Sequence, residues 1–478
     1  MTTIKTSEHP QYTKNKAKWQ LVRDCVNDNV QANAIECDYI IKPPAMSDDD
    51  YKAYVGRAVF KNFTGQTLDV QKGAAFSKDF TFTGIDSSDL PESLEYMLTN
   101  ADGSGTSLED QIKQVGQDVF SVGRIGALVE YRAGGTGSMA DSNRAKIVLY
   151  TAETIRDWDE VQSVEVDGKL VYVCLVESYS KLTDGARANQ ERKIELKLID
   201  GLYTQVITDS GENATVKIIE PLDGAGKRMD FIPFKFFGAD NNRPSASRVP
   251  MFKLSTINLA LFRSDADLRT NLWLFAVPIL SVSLDGHVAP NDFDRANGFV
   301  DDQGDRIGSI RTGGSKAYVG GVISYTQPSV DNILMNSQDR DEEALVKLGA
   351  QLISEGHNET AEAARIRKAA GTASLGDMVG NIESGYEDLF TWCMMMNNKG
   401  AAVDEFEFNM NRKFFDDRLD AQKLTAMLSG VMSGQIAKES LFKAMQRDGS
   451  MGVTEDDSYE SYQAKIDEQP DNNLDLTE

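Results

Sequence analysis

One stretch constrains the fold more than any other. Between about Glu359 and Met396, the apolar residues Leu375, Val379, Ile382, Tyr386, Leu389 and Cys393 recur at spacings of 4, 3, 4, 3 and 4. A seam with that alternation lies along one side of a helix and packs against other helices over a long contact. The spacing predicts a single long helix, with Gly371, Gly376 and Gly380 as points of kinking or close approach. The break Ser354, Glu355, Gly356, His357 and Asn358 precedes it, with Asn358 as its N-cap.

The segments upstream of that break alternate in period. From Pro250, Leu254, Ile257, Leu261, Leu268, Leu272 and Phe275 fall three, four or seven apart, while Ser264 and Asp265 stand where an apolar residue is expected. This predicts one helix of about seven turns, stopped by Pro278. Residues 286–328 are rich in glycine and hold short β-like runs, Ala317 to Val319 and Val322 to Tyr325, which predict a small, partly separate β element. A helical pattern resumes near Val330, with Leu345, Leu348 and Leu352 on its apolar face and Asp339, Asp341, Glu342 and Glu343 on the other.

The N-terminal half reads as helices followed by strands. Trp19, Val22 and Val26 share a helical face, and Ser47 with Asp50 caps a helix carrying Tyr51, Tyr54, Val55, Ala58 and Val59 inward. A further helix opens at Thr106 with Glu109 completing a capping box; its stripe Leu108, Ile112, Val115 and Val119 ends at Gly123. After a flexible glycine-rich loop at 133–137 the period becomes two. Alternation at Ile194, Leu196 and Leu198, with turns at Asp167-Gly168 and Asp200-Gly201, predicts an antiparallel meander over 146–237 that finishes in a strand from Phe231 to Phe237. A strand from Phe406 to Met410 and two or three short helices, one from near Asp417, come last. From Glu455 onward nine Asp or Glu stand against one Lys, which reads as a disordered tail.

The chain is α+β, and at 478 residues it exceeds what one core usually supports, so two or three structural regions are expected. Chemistry is hard to find in it. His9, His287 and His357 are the only histidines and lie far apart; Cys25, Cys37, Cys174 and Cys393 form no CxxC pair and read as small buried hydrophobes. Gly224-Ala225-Gly226-Lys227 lacks the first glycine and the Ser or Thr of a phosphate loop, and His357-Asn358-Glu359 lacks the PCxxC that zinc deamination needs. Asp301-Asp302-Gln303-Gly304-Asp305 reads as a solvated turn, since no Glu follows at calcium-loop spacing. No catalytic residue, metal site or cofactor is expected. The N-terminus MTTIKTSEHP has no apolar core of a signal peptide, and no apolar run is long enough for a membrane span. A net charge of −24 disfavours a surface that grips phosphate tightly.

Six stretches, taken in order, carry a resemblance: WQLVRD at 19–24, YKAYVGRAVFKNFTGQTLDVQKGAAFSK at 51–78, GRIGALVE at 123–130, YTAETIRDW at 150–158, NLALFRSDAD at 258–267 and NETAEAA at 358–364. With them the chain, from about 15 to 395, resembles a family of tailed-bacteriophage portal-like proteins long catalogued as a domain of unknown function. The order of elements agrees with the portal fold of wing, stem, clip, stem, tunnel loop and long wing helix.

The resemblance implies a wing at 1–248, a first stem segment at 249–286 with its helix over Val249 to Ser281, and a clip at 287–328. It implies a second stem helix at 329–353, a tunnel loop at 354–358, a long wing helix with C-terminal wing or crown helices at 359–453, and a tail at 454–478. It further implies a ring-forming subunit of a dodecamer at one capsid vertex of the virion, made in the host cytoplasm. Double-stranded DNA would pass through the ring, and terminase large subunit, a head-completion or neck adaptor, major capsid protein and scaffolding protein would dock on it. Lys347 and the loop Ser354, Glu355, Gly356, His357 and Asn358 would face that channel. Leu345, Leu348 and Leu352 would meet a neighbouring subunit.

A bore lined by Asp331, Asp339, Asp341, Glu342, Glu343 and Glu355, against Arg340 and Lys347, would repel the duplex and let it slide. Two other readings stand beside this one. A minor head protein or neck adaptor would share the acidity and lack of catalytic sets, and a metal-dependent nucleic-acid hydrolase would use clustered carboxylates such as Asp48, Asp49 and Asp50.

Overall fold

The computed structural model describes residues 7–84, 92–131, 144–162, 167–183, 186–209, 215–275, 279–284, 294–295, 321–326, 332–349, 361–397, 406–412, 414, 421–433, 435, 437–448 and 458–462. The chain divides into two units: residues 1–73 with 80–410, and residues 74–79 with 411–478.

In the larger unit, α1 (Pro10–Val26) begins with His9 as N-cap and proline in its first turn, where the missing N–H costs nothing. Its face Tyr12, Trp19, Val22 and Cys25 is buried. Helix α2 (Asp48–Arg57) starts as the sequence predicts: the Asp50 N–H donates to Ser47 Oγ at 3.2 Å and Ser47 Oγ donates to the Asp50 carboxylate at 2.7 Å. Tyr51, Tyr54, Val55 and Ala58 are buried, but Val59 is 45% exposed, because the helix ends at Arg57 and the chain turns outward. Helix α3 (Phe63–Ala75) has no clean apolar stripe in the sequence and was not expected.

Strand β1 (Thr81–Gly84) precedes two short helical turns, the second being α4 (Met97–Asn100), and then α5 (Leu108–Ser121). The cap of α5 lies one residue beyond the expected Thr106. Ser107 Oγ accepts from the Asp110 N–H at 3.1 Å and donates to its carboxylate at 2.7 Å, so Asp110 completes the box and Glu109 does not. Thr106 is instead held by Asp102. The helix stops at Gly123, whose φ of +73° favours glycine and where a Cβ would fall 2.1 Å from the Arg248 carbonyl oxygen.

The region read as one meander forms two sheets. β2 (Arg124–Glu130) is the centre of a three-stranded antiparallel sheet between β3 (Lys146–Thr151) and the later β9 (Phe234–Gly238). Five strands, β4 (Ile155–Gln162), β5 (Asp167–Thr183), β6 (Ala186–Ile199), β7 (Leu202–Asp209) and β8 (Val216–Ile219), make the meander proper. The first and last strands of the predicted meander therefore leave it for β2, a strand whose run Ile125 to Val129 is buried on both faces and shows no alternation. The turn at Asp200-Gly201 is as predicted, with both φ positive, 52° and 76°, joining β6 to β7 through a two-residue connection. Asp167-Gly168 instead begins β5, paired with the end of β4.

Helix α6 (Phe252–Phe275) packs on α1 and α2. β10 (Ile279–Leu284) and β11 (Gly321–Thr326) pair antiparallel from Ile279↔Thr326 to Leu284↔Gly321. The expected helix to Ser281 is thus too long: Ile279 to Ser281 belong to a strand. Helix α7 (Asn332–Gly349) packs back on α6. The long helix α8 (Ala361–Asn397) is present almost as predicted and runs unbroken through Gly371, Gly376 and Gly380. All six seam residues are buried, none more than 1% exposed. They lie against α5 and the three-stranded sheet; Tyr386 meets Phe237 at 5.5 Å, and a Cβ at Gly385 would fall 2.2 Å from the Phe237 ring. β12 (Phe406–Asn409) pairs with β1, and Phe82, Phe390, Phe408 and Tyr386 close an aromatic cluster over the helix at centroid distances of 5.3–6.0 Å.

In the smaller unit, α9 (Ala421–Met432) and α10 (Lys438–Asp448) follow; the expected start near Asp417 lies outside the described residues. Within the stretch expected to be disordered, residues 458–462 form a helical turn whose Tyr459 and Tyr462 pack on Phe442 at 5.5 and 5.2 Å.

Candidate functional site

The segment that sequence reasoning singled out is two helices joined through a strand pair. Helix α6 is anchored along its length by polar side chains placed inside an apolar helix. Asn258 is fully buried; its Oδ1 accepts from the N–H and hydroxyl of Thr64, both at 3.1 Å, and its Nδ2 donates to the Lys61 carbonyl at 2.7 Å. Asp265, the residue that broke the predicted stripe, accepts the Val59 N–H at 2.7 Å and Arg269 Nε at 2.6 Å. Both carboxylates in this stretch are used, since Tyr54 donates its hydroxyl to Asp267 at 2.6 Å. Burial, first, and that carboxylate, second, push the Tyr54 phenol well above its ordinary value. These bonds fix α6 to α2 and to the chain before α3 and give both carboxylates of α6 a donor.

Helix α7 runs antiparallel to α6. Gly349, its last residue, abuts Thr67 of α3, where a Cβ would come within 2.6 Å of the threonine hydroxyl, while α3 is tied to Asn258 near the start of α6. Leu345 is 1% exposed within the single chain and Leu348 is half-buried, so this face of α7 is turned to its own unit. Met335 and Val346, three helical turns apart on the opposite face, are each 50% exposed. At the far end of α6 Leu272 and Trp273 are 47% and 56% exposed, and the Arg57 guanidinium lies 4.0 Å from the Trp273 ring centre.

The charges of α7 are largely compensated. Glu342 pairs with Lys61 of the chain before α3, Glu343 with Lys347 at 3.5 Å, and Asp341 with Arg340 at 3.9 Å. Lys347 is well exposed, and a surface pair four residues apart is worth only about 0.3–0.5 kcal/mol. Its ammonium is free to exchange that partner for a phosphate. Ser354, Glu355, Gly356, His357, Asn358 and Leu352 lie outside the described residues, as do Asp331, the Asp301–Asp305 run, Ala317 to Val319 and the 133–137 loop.

The carboxylates that a hydrolase would use have other partners. Asp48 pairs with Lys42, Asp49 lies 3.9 Å from Lys52, and Asp50 shares the cap hydrogen bonds with Ser47. Among the described residues no group of three His, Cys, Asp or Glu could hold a metal ion, and no helix is long and apolar enough to cross a membrane. Cys25, Cys174 and Cys393 are buried and Cys37 is half-buried; burial raises all four thiols, Cys25 to about 12. A thiol held protonated is a poor nucleophile.

Comparison with known proteins bears on the same segment. Residues 250–396, from α6 through the strand pair and α7 to the end of α8, match a family described only as a domain of unknown function, DUF4055. No curated protein matches the chain. Among solved structures, a chain in the neck of an empty gene transfer agent (GTA) particle, computed with C6 symmetry, is 10% identical with a TM-score of 0.44, over 90% of this chain and 96% of that one. A chain of the native GTA virion is 10% identical, TM-score 0.39, over 85% and 94%. An HK97-family phage portal protein from Corynebacterium diphtheriae is 10% identical, TM-score 0.30, over 78% and 98%.

Two structural features of this segment escaped sequence reasoning. The outward face of α7 carries no apolar run long enough to notice, since Met335 and Val346 are separated by charged residues. The anchoring role of Asn258 has no signature either, because a lone asparagine in an apolar stripe looks like any surface position.

Proposed function

We propose that this chain is the subunit of a portal ring, through which double-stranded DNA enters and leaves a phage-like capsid, and that it has no catalytic role. The observation that carries the proposal is the order of α6, the β10–β11 pair, antiparallel α7 and the long α8. That order is the stem, clip, stem and wing helix implied by the sequence resemblance. In this reading twelve copies close the ring at one capsid vertex, α6 and α7 form its stem, and the strand pair belongs to the clip. Terminase large subunit docks there during packaging, a neck adaptor afterwards, and major capsid and scaffolding proteins surround the wing.

Electrostatics favour a channel that slides. With Glu342, Glu343 and Asp341 paired and Asp339 the remaining exposed acid, α7 keeps a small net negative charge, so the repulsion that keeps DNA from adhering comes more from the whole chain's −24 than from this helix. On α7 the exposed cations are Arg340 and Lys347, two per copy and both beside carboxylates, too few contacts for tight non-specific binding. Subunit contact falls to the outward face of α7 around Met335 and Val346 and to the half-buried Leu348, since Leu345 is already covered by its own chain.

Negative-stain imaging of the purified full chain tests the reading. Rings with a central hole are expected; a monomer that persists at high protein concentration overturns it.

A further inference from the structure

The N-terminal segment lies along the outer strand of the five-stranded sheet, with a histidine at the centre of the contact. β4 is an edge strand, and an exposed edge presents unpaired N–H and C=O groups that invite another strand. Here part of that edge is taken by the chain itself. The His9 N–H donates to the Arg156 carbonyl at 2.9 Å, and Ser7 Oγ donates to the Asp157 carboxylate. His9 is also the N-cap of α1, where its Nδ1 accepts from the Gln11 N–H at 3.2 Å. Its ring stacks on Trp158 with centroids 4.0 Å apart. The Arg124 guanidinium sits 4.1 Å from the same indole centre. Two planar groups that near to one ring centre cannot share a face, so Trp158 is clasped between a histidine and a cation.

That cation is unusual. Arg124 is 2% exposed and spends one donor on the Pro244 carbonyl at 2.8 Å; among the described residues it faces no carboxylate, and Nε and one terminal nitrogen have no hydrogen-bond partner. Phe236, 4.5 Å away, completes an aromatic enclosure.

We propose that residues 7–11 form an acid-sensitive latch over the β4 edge, closed while His9 is neutral and opened by its protonation. Protonation at Nδ1 turns the cap acceptor into a donor facing the Gln11 N–H, and places positive charge at the positive end of α1. Behind the indole, Arg124 repels it. Of the groups around it, Asp157 and Asp159 on β4 favour the imidazolium; Glu8 is already shared by Arg156 and Lys16, at 3.2 and 3.8 Å, and Arg156 also contacts Tyr12. Burial, first, and Arg124 pull the histidine below its ordinary value, against the two aspartates, so the neutral form wins in the folded chain. A base so lowered gives stability that is complete above its unfolded value and lost as the pH falls through the folded one.

The test is peptide-level hydrogen exchange of the full chain over residues 7–16, corrected for intrinsic rates, from about pH 7.5 down to about pH 5, the range in which histidine titrates. Several-fold loss of protection toward acid is expected in the wild type. His9→Asn, which keeps a cap acceptor that does not titrate, should hold its protection across the range. A flat wild-type profile overturns the latch, and so does the same acid loss in His9→Asn. Should that variant fail to fold, the wild-type profile still decides.

Discussion

Arg23 shows how much a single side chain can join. From α1 it donates to both oxygens of Asp118 on α5 and, through Nε at 3.0 Å, to Glu153 in the turn before β4. Asp118 is almost fully buried, so removing the guanidinium would strand a carboxylate away from water. Arg23→Ala should lower unfolding stability by about 3–5 kcal/mol, read from denaturant midpoints, whereas Arg23→Met with Asp118→Leu should recover most of the loss. Asp102 is the acid-side counterpart. Burial disfavours its charge, but hydrogen bonds from the side chains and N–H groups of Ser104 and Thr106 outweigh that and hold it at about 2. Because the folded value is depressed, its contribution is complete above the unfolded carboxylate range near 4 and is lost as the pH falls toward about 2. Asp102→Asn should flatten the acid limb of a stability-against-pH curve in that window. Little of this was legible in the sequence. Asp265 announced itself by interrupting an apolar stripe, but Arg23, Asp102 and Arg124 sit where charged residues are ordinary, and only the fold reveals that their surroundings are closed.

At the scale of elements, periodicity was informative wherever one face is buried and misleading where both are. The seam of α8 was read correctly because a buried stripe at spacings of three and four has no other explanation. The meander was read correctly at Asp200-Gly201 and in the alternation of β6. β2 was missed because its buried run of Ile125 to Val129 does not alternate, and with it went the true partners of β3 and β9. At the end of α6 the pattern reading, which stopped the helix at Pro278, agrees with a strand from Ile279, and it was the bounds implied by the resemblance that carried the helix on to Ser281. Helix starts depend on finer detail. Thr106 and Ser107 are adjacent hydroxyls with acids three residues on, and the sequence does not choose between them; the structure gives the cap to Ser107. Ser107→Ala should therefore cost about 1 kcal/mol of unfolding stability, while Glu109→Gln should cost only a few tenths, since Glu109 meets only Lys113 on the surface.

For the whole molecule, the question is which apolar surface one chain leaves unused. α8 turns its entire seam inward, and Leu345 is covered by its own unit, so neither has area to give a neighbour. Met335 and Val346 do, half-exposed on the outer face of a helix whose inner face is already packed. In a closed ring of head-to-tail contacts each copy offers one such face to a different face of the next, so a charge placed there is repeated at every joint. Val346→Asp should then abolish rings in negative-stain images and leave a monomer whose denaturant midpoint is unchanged, because the residue contributes little to its own fold. Leu348→Asp should also disrupt rings but lower the midpoint too, since Leu348 is half-buried within the chain. If Val346→Asp assembled normally while Leu348→Asp did not, the joint would lie elsewhere and the effect of Leu348 would be one of folding. The two variants together separate a surface that holds subunits to each other from one that holds the subunit together.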